Sequence, residues 1–371
     1  MALVMPPPPR GNIRSTLRIS DSISALKNGE YDEGALGELG GFREGRTFPG
    51  PHGNPGATSV TFRHDCPNRG SRAIRVPHGV VPHDDSWGRL ESVSRLVRRH
   101  NSSGGSLPIV DFEIHRNAIW PDSTHYHVMT MDWVEGRTIH SCARDLAEKS
   151  DHSALKALAY EFEETGKQFQ ASPFDHGDIS GGNIMVSREG TLRIIDPDTL
   201  RHEEVPDPDI SEMGHISFAH PERSGMTWED DLFRFPLEVI IVSLEALAEN
   251  PSLVTRFGDD DCSLLFDQQD LANPSESELF RELCSSPDVG LSKRASRLRD
   301  AAAAESVTEA NRILGSFRSP KPLPSDPFTI HMLFSPLGGY VPPRSRMAPT
   351  TRRASLPMRI PDIMRREGDV A

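Results

Sequence analysis

The sequence predicts an α+β protein in two lobes, the first strand-rich around one helix and the second mainly helical. Three observations carry this. At 371 residues the chain is too long for one small domain and suits two packed lobes with tails. Its first half alternates short β-branched segments with Gly, Pro and Asn turns. Its second half repeats apolar residues at helical spacing and includes an apolar run at 235–248.

The elements follow in order. Residues 1–30 carry Pro, Ser and Arg without a sustained period and predict a mostly disordered leader. The lobes are expected over 31–131 and 132–317. GPHGNPGA at 50–57 reads as a loop, followed by a hairpin of strands at 58–62 and 72–76. Leu90, Val93, Leu96 and Val97 share one face of a helix over 87–100, and strands are expected at 109–114 and 126–134. Leu155, Leu158, Ala159, Phe162 and Phe169 mark a helix over 153–171. The loop HGDISGGN comes next, then strands at 184–186 and 191–195, an apolar helix over 233–248, and an amphipathic helical region at 290–314. From Arg318 onward ten prolines and scattered basic residues predict a flexible tail.

Charge and cysteine usage exclude several classes. The net charge is −13, yet residues 318–371 hold nine Lys/Arg against four Asp/Glu, a net of +5 that leaves −18 for the first 317. So acidic a body argues against a nucleic-acid groove, which needs a basic field. Cys66, Cys142, Cys262 and Cys284 lie far apart with no C-x-x-C pair, which fits reduced thiols in a cytoplasmic protein better than a zinc site or disulfide framework. The apolar run at 235–248 contains Glu238 and Glu245 and is too short for a membrane span, and the N-terminus lacks the apolar core of a signal peptide.

The chemistry concentrates between His176 and Glu222. His176-Gly177-Asp178 opens a loop, Asn183 stands five residues after the Asp, and Asp196 follows at the end of an apolar strand. Phosphoryl transfer needs this inventory: one carboxylate to orient the attacking hydroxyl and take its proton, and an amide plus a second carboxylate to hold magnesium against phosphates. Asp178 is the expected base, and Asn183 and Asp196 the expected metal ligands. His176 reads as a packed structural residue, and Asp198 as a turn residue in preference to a second metal-facing carboxylate.

These residues resemble the protein-kinase superfamily. His176-x-Asp178-x4-Asn183 and Asp196-Pro197-Asp198 are similar to its catalytic loop and metal motif. Ala219-His220-Pro221-Glu222 resembles the close of its activation segment, Met131 to Gly136 its hinge, and the stretch from Trp228 its buried central helix. The resemblance is closer still to the bacterial YegI-like kinase-like family, whose HGDLxxGN, IDYDG-type, GHxxYxHPxR and I-Y-x-SL-x-AL motifs read here HGDISGGN, IIDPDTL, GHISFAHPER and IIVSLEAL. It spans roughly residues 45–285 and is strongest over 126–250. It implies a two-lobed kinase-like fold, ATP and Mg2+ as cofactors, a Ser/Thr protein substrate, and a hinge in which the Asp132 carbonyl and Val134 N–H meet the adenine edge with Met131 behind.

The pattern also departs from the family. No lysine stands between Lys27 and Lys149, so the phosphate-anchoring lysine is replaced, with Arg75 at the expected place. Glu91 resembles the helix glutamate that pairs with that lysine, or is a solvated helix charge. In the phosphate loop Gly56 aligns with one usual glycine while Ser59 replaces another. No arginine precedes Asp178, which argues against regulation by loop phosphorylation. A nucleotide-binding pseudokinase and a small-molecule phosphotransferase on the same scaffold stay open beside the Ser/Thr kinase. Arg352-Arg353-Ala354-Ser355-Leu356 resembles a basophilic kinase substrate, which makes Ser355 a candidate self-phosphorylation site or a coincidence in a solvated tail.

Overall fold

The computed structural model describes residues 16–36, 54–55, 59–66, 70–80, 82, 84–208, 214–223, 228–258 and 263–317. All of them belong to the first of two units, Met1–Phe334, so the tail and Ser355 lie outside the described residues. The chain is α+β, as its patterning predicts.

It begins with β1 (Thr16–Leu17), α1 (Ile19–Asn28) and the single turn α2 (Glu33–Leu36). A five-stranded antiparallel sheet follows in the order β2-β3-β4-β7-β6, built from β2 (Asn54–Pro55), β3 (Ser59–Cys66), β4 (Gly70–Pro77), β6 (Phe112–Ile119) and β7 (Tyr126–Asp132). Between β4 and β6 come β5 (Gly79–Val80), which pairs with β1, and the helix α3 (Asp84–Ser102). The period of two along the strands gives the sheet two apolar faces. Ala73, Met129 and Met131 face the main core with Trp87, Leu90 and Val93 of α3. Val60, Phe62, Ile74, Val76 and Val128 form a second cluster with Leu17, Leu26 and Leu36.

That second cluster corrects the expected leader. Residues 16–30 are not a disordered lead-in: Leu17, Ala25 and Leu26 are buried, and α1 ends at Gly29 in the left-handed conformation, φ 74°. A two-faced apolar sheet must be covered on both sides, and α1 covers the side that α3 does not.

After β7 the chain crosses through residues 133–135 into β8 (Gly136–Thr138), the edge of a three-stranded sheet ordered β11-β10-β8. Two helices follow, α4 (Ile139–Glu148), N-capped by Thr138, and α5 (His152–Gln170), N-capped by Asp151. Then come β9 (Phe174–His176), β10 (Ile184–Ser187), β11 (Leu192–Ile194), β12 (Leu200–His202) and the buried helix α6 (Arg234–Glu249). Apolar on nearly all sides, α6 packs against α5 as a central rod. The chain continues with α7 (Leu253–Phe257), α8 (Gln268–Ala272), α9 (Glu278–Cys284), α10 (Val289–Ala302) and α11 (Val307–Leu314). The helical region expected at 290–314 consists of α10 and α11, the second started by the Ser306 cap, whose hydroxyl accepts from Glu309 N–H at 3.2 Å. No helix among the described residues is long and apolar enough to cross a membrane.

Candidate active site

Two short strand pairs frame the loop that carries Asp178. β9 pairs with β12 through His176↔Leu200, and β10 with β11 through Ile184↔Ile194. Ile195 N–H donates to Asn183 O at 3.0 Å, so loop 177–183 and residues 195–199 run side by side.

His176 ties them together. Fully buried, it accepts at Nδ1 from Asp178 N–H at 3.1 Å, so its proton sits on Nε2, which donates to Asp196 O at 2.9 Å. Burial lowers its pKa and keeps the ring neutral. One imidazole therefore fixes the expected base and the expected metal carboxylate from opposite edges. This bears out its reading as a structural residue.

Asp178 accepts on both oxygens. Asn183 Nδ2 donates to Oδ2 at 2.7 Å and also reaches Asp178 O at 3.2 Å, which leaves Asn183 Oδ1 as its remaining acceptor. His215 N–H donates to Oδ1 at 2.9 Å. The approach depends on Gly214, whose φ is 75°: a Cβ there would stand 2.7 Å from Gly177 O and 3.0 Å from Asp178 Oδ1.

Arg75 closes the other side. On β4 it shares a face with Ala73 and points at residues 196–198. Nη1 lies 2.8 Å from Asp196 Oδ1 and 3.2 Å from Asp198 Oδ1. Nη2 lies 2.9 Å from Asp198 Oδ2, and Nε donates to Ser59 Oγ at 2.6 Å. Ser59, where a glycine was expected, supplies an acceptor that glycine lacks. Burial pushes the Asp196 carboxyl up and Arg75 overrides it, leaving it below the usual carboxylate range. Burial pushes Asp198 up to about 6 against the pull of Arg75, with Asp196 adding to the rise. The side chains keep 28% and 24% exposure.

Several expectations are corrected. Asp198 is not a bare turn residue, because its carboxylate grips Arg75. Glu91 does not meet Arg75. It pairs with Arg116 of β6 at 2.6 Å, and that contact holds its carboxyl low. The helix residue that reaches the site is Arg89, 8% exposed, which donates to Leu200 O at 2.8 Å and to Asp198 O. Glu91 lies on the flank of α3 beside β6, whereas Arg89 lies on its inner face.

The remaining expected residues are placed as follows. Asp132 ends β7 with its N–H on Asp111 O at 3.0 Å, Trp133 N–H bonds Ser71 O at 3.1 Å, and Val134 packs on the main core. Met131 is buried behind them. Gly56 lies outside the described residues.

Sequence reasoning passed over three further residues. Asp175, one residue before His176, accepts from Leu232 N–H at 3.0 Å and Phe233 N–H at 3.1 Å, anchoring the loop to the start of α6. Arg223 donates to Gly177 O, and Trp228 lies against Gly177. Arg223 closes the GHISFAHPER motif, but no spacing rule gives the partner of any of the three, because each meets it across the fold.

Among the described residues no group of three or more His, Cys, Asp or Glu could hold a metal ion. The donors present are hard oxygens, Asn183 Oδ1 and the Asp196 carboxylate. They suit Mg2+, which takes its other ligands from phosphates and water. No protein-family model matches the chain, and no curated protein matches it.

Proposed function

We propose that this chain is an ATP- and Mg2+-dependent phosphotransferase of two-lobed, protein-kinase-like architecture, acting on a hydroxyl of a protein substrate. The observation that carries the reading is the His176 bridge, with Asp178 N–H on one ring nitrogen and Asp196 O on the other. It preorganises a carboxylate base beside a metal-type carboxylate and amide before any ligand arrives.

In the proposed reaction the substrate hydroxyl gives its proton to Asp178 as its oxygen bonds the γ-phosphorus. The bond from that phosphorus to the β,γ-bridging oxygen breaks, and ADP leaves with the electron pair. Magnesium, held by Asn183 and Asp196, would supply charge neutralisation on the phosphates. Asp132 O and Val134 N–H, at the connection between the sheets, would take the adenine edge. Arg75 would reach the phosphates after exchanging its carboxylate partners.

That exchange is what favours the second reading, a nucleotide-binding module without catalysis, since Asp196, Asp198 and Ser59 engage Arg75 at all three guanidinium nitrogens. A small-molecule phosphotransferase is less favoured, because α4 and α5 fill most of the stretch between β8 and β9 with core-packing helices.

Incubation with labelled ATP and Mg2+ separates these readings. Asp178→Asn is expected to lower transfer by about 10²-fold or more with nucleotide affinity retained. Equal turnover in both proteins removes Asp178 from the chemistry. Tight binding with no transfer in the parent selects the non-catalytic reading.

A further inference from the structure

Asp178 sits in a loop whose own sequence does little to hold it: Gly177 precedes it and Gly181-Gly182 follow within four residues. The structure fills that deficit from elsewhere. A Cβ on Gly177 would stand 2.5 Å from a Trp228 ring carbon and 3.0 Å from Arg223 Nη2, so both side chains occupy the space beside it. Arg223 donates to Gly177 O and lies 5.3 Å over the Trp228 ring. Its Nη1 also stands 3.2 Å from where a Gly214 Cβ would be. Gly214 adjoins His215, whose N–H bonds Asp178.

The ring is itself fixed. Trp228 Nε1–H donates to Pro208 O at 2.9 Å, and Arg201 lies 5.4 Å over the same ring. Arg201 is held by Asp207 at 2.7 Å, Asp175 at 3.3 Å and Glu229 O at 2.6 Å. Burial disfavours the charge of Arg223, and the carboxylates of Asp178, Glu229 and Asp175 favour it.

We propose that Arg223 is a positioning residue for Asp178, pinned by Trp228 and acting through the Gly177 carbonyl and the Gly214-His215 backbone. The proposal rests on the phosphotransferase reading of Asp178. Its consequence is that the Arg223 side chain, together with the His215 N–H, holds segment 214–223 against the Asp178 loop. Guanidinium stacking and a charge-assisted bond to a carbonyl do the work.

Hydrogen exchange of the full chain tests this, comparing the parent with Arg223→Ala and Arg223→Lys, alongside Mg2+–ATP affinity and turnover. In Arg223→Ala, amides in 176–183 and 214–219 are expected to exchange about tenfold faster or more, with β3, β4 and α6 unchanged. Turnover should fall about tenfold or more while Mg2+–ATP affinity stays within about twofold. Lysine should restore part of both, because it can donate to Gly177 O but cannot stack as a plane.

Unchanged protection in 176–183 and 214–219 overturns the proposal. So does a loss of protection spread evenly over sheet and helices, which would make Arg223 a general stability residue. If the parent neither binds nor turns over Mg2+–ATP, the phosphotransferase reading fails by itself, and local loss of protection in Arg223→Ala still assigns the clamp.

Discussion

Arg75 faces a choice between two sets of partners. In the structure it neutralises Asp196 and Asp198, the groups a cation would also seek. On the proposed reading, metal and guanidinium would compete for one carboxylate pair, whereas phosphate and guanidinium would attract. Arg75→Ala is expected to bind Mn2+ alone more tightly than the parent, and Mg2+–ATP about tenfold more weakly. Free Mn2+ measured by paramagnetic resonance and ATP calorimetry give the two signs, and changes in the same direction contradict the competition. The sequence placed Arg75 in an apolar strand, where the missing lysine was expected. It could not show Asp198 as its partner, because the pair is 123 residues apart. The two readings of Glu91 stayed open for the same reason: helical period tells which residues share a face, not that Arg116 would stand beside that flank.

At the level of elements, α1 shows where patterning ran out. Ile19, Ile23 and Leu26 recur at helical spacing, but ten residues beside a proline-rich stretch do not announce a helix. What makes it one is the second sheet face it covers, which is tertiary information. Leu26→Ala is expected to destabilise the protein by about 2–5 kcal/mol in denaturant titrations, and a neutral effect would return 16–30 to the leader.

The central helix α6 was legible from its apolar run, but its ion cluster was not. Glu238, 4% exposed, meets Arg294 at 2.8 Å and Arg297 at 2.9 Å, and Arg294 also meets Glu245 and Glu163. Burial raises the Glu238 pKa and the arginines override it, holding it below the usual value. A carboxyl depressed in the folded state stabilises above its unfolded pKa of about 4.3 and loses that contribution as pH falls through its folded value. Arg294→Ala leaves Glu238 with Arg297 and takes away the cation that meets Glu245 and Glu163, which is expected to cost about 3 kcal/mol at pH 7. The gap to the parent should narrow toward pH 4, where the less compensated carboxyls protonate. Equal gaps at pH 7 and pH 4 would remove Glu238 from the acid response.

Across the whole molecule, the strand-rich first half, the helical second half and the 176–196 constellation were legible because each rests on local period or short spacing. The covering of the outer sheet face, the Arg75 clamp and the Arg223–Trp228 support were not, because each joins residues from distant stretches. Arg223 follows the His-Pro-Glu triplet by one position and still falls against Gly177, 46 residues earlier in the chain. The site is thus a property of the assembled fold more than of any one motif.

The central claim, that Asn183 and Asp196 hold magnesium against a nucleotide, is tested most directly by calorimetric titration of ATP with Mg2+ and with the metal chelated, in the parent and in Asp196→Ala. ATP is expected to bind the parent about tenfold more tightly with Mg2+ than without it, and Asp196→Ala is expected to lose that gain. Equal affinity with and without the metal, or a gain that survives in Asp196→Ala, would contradict it.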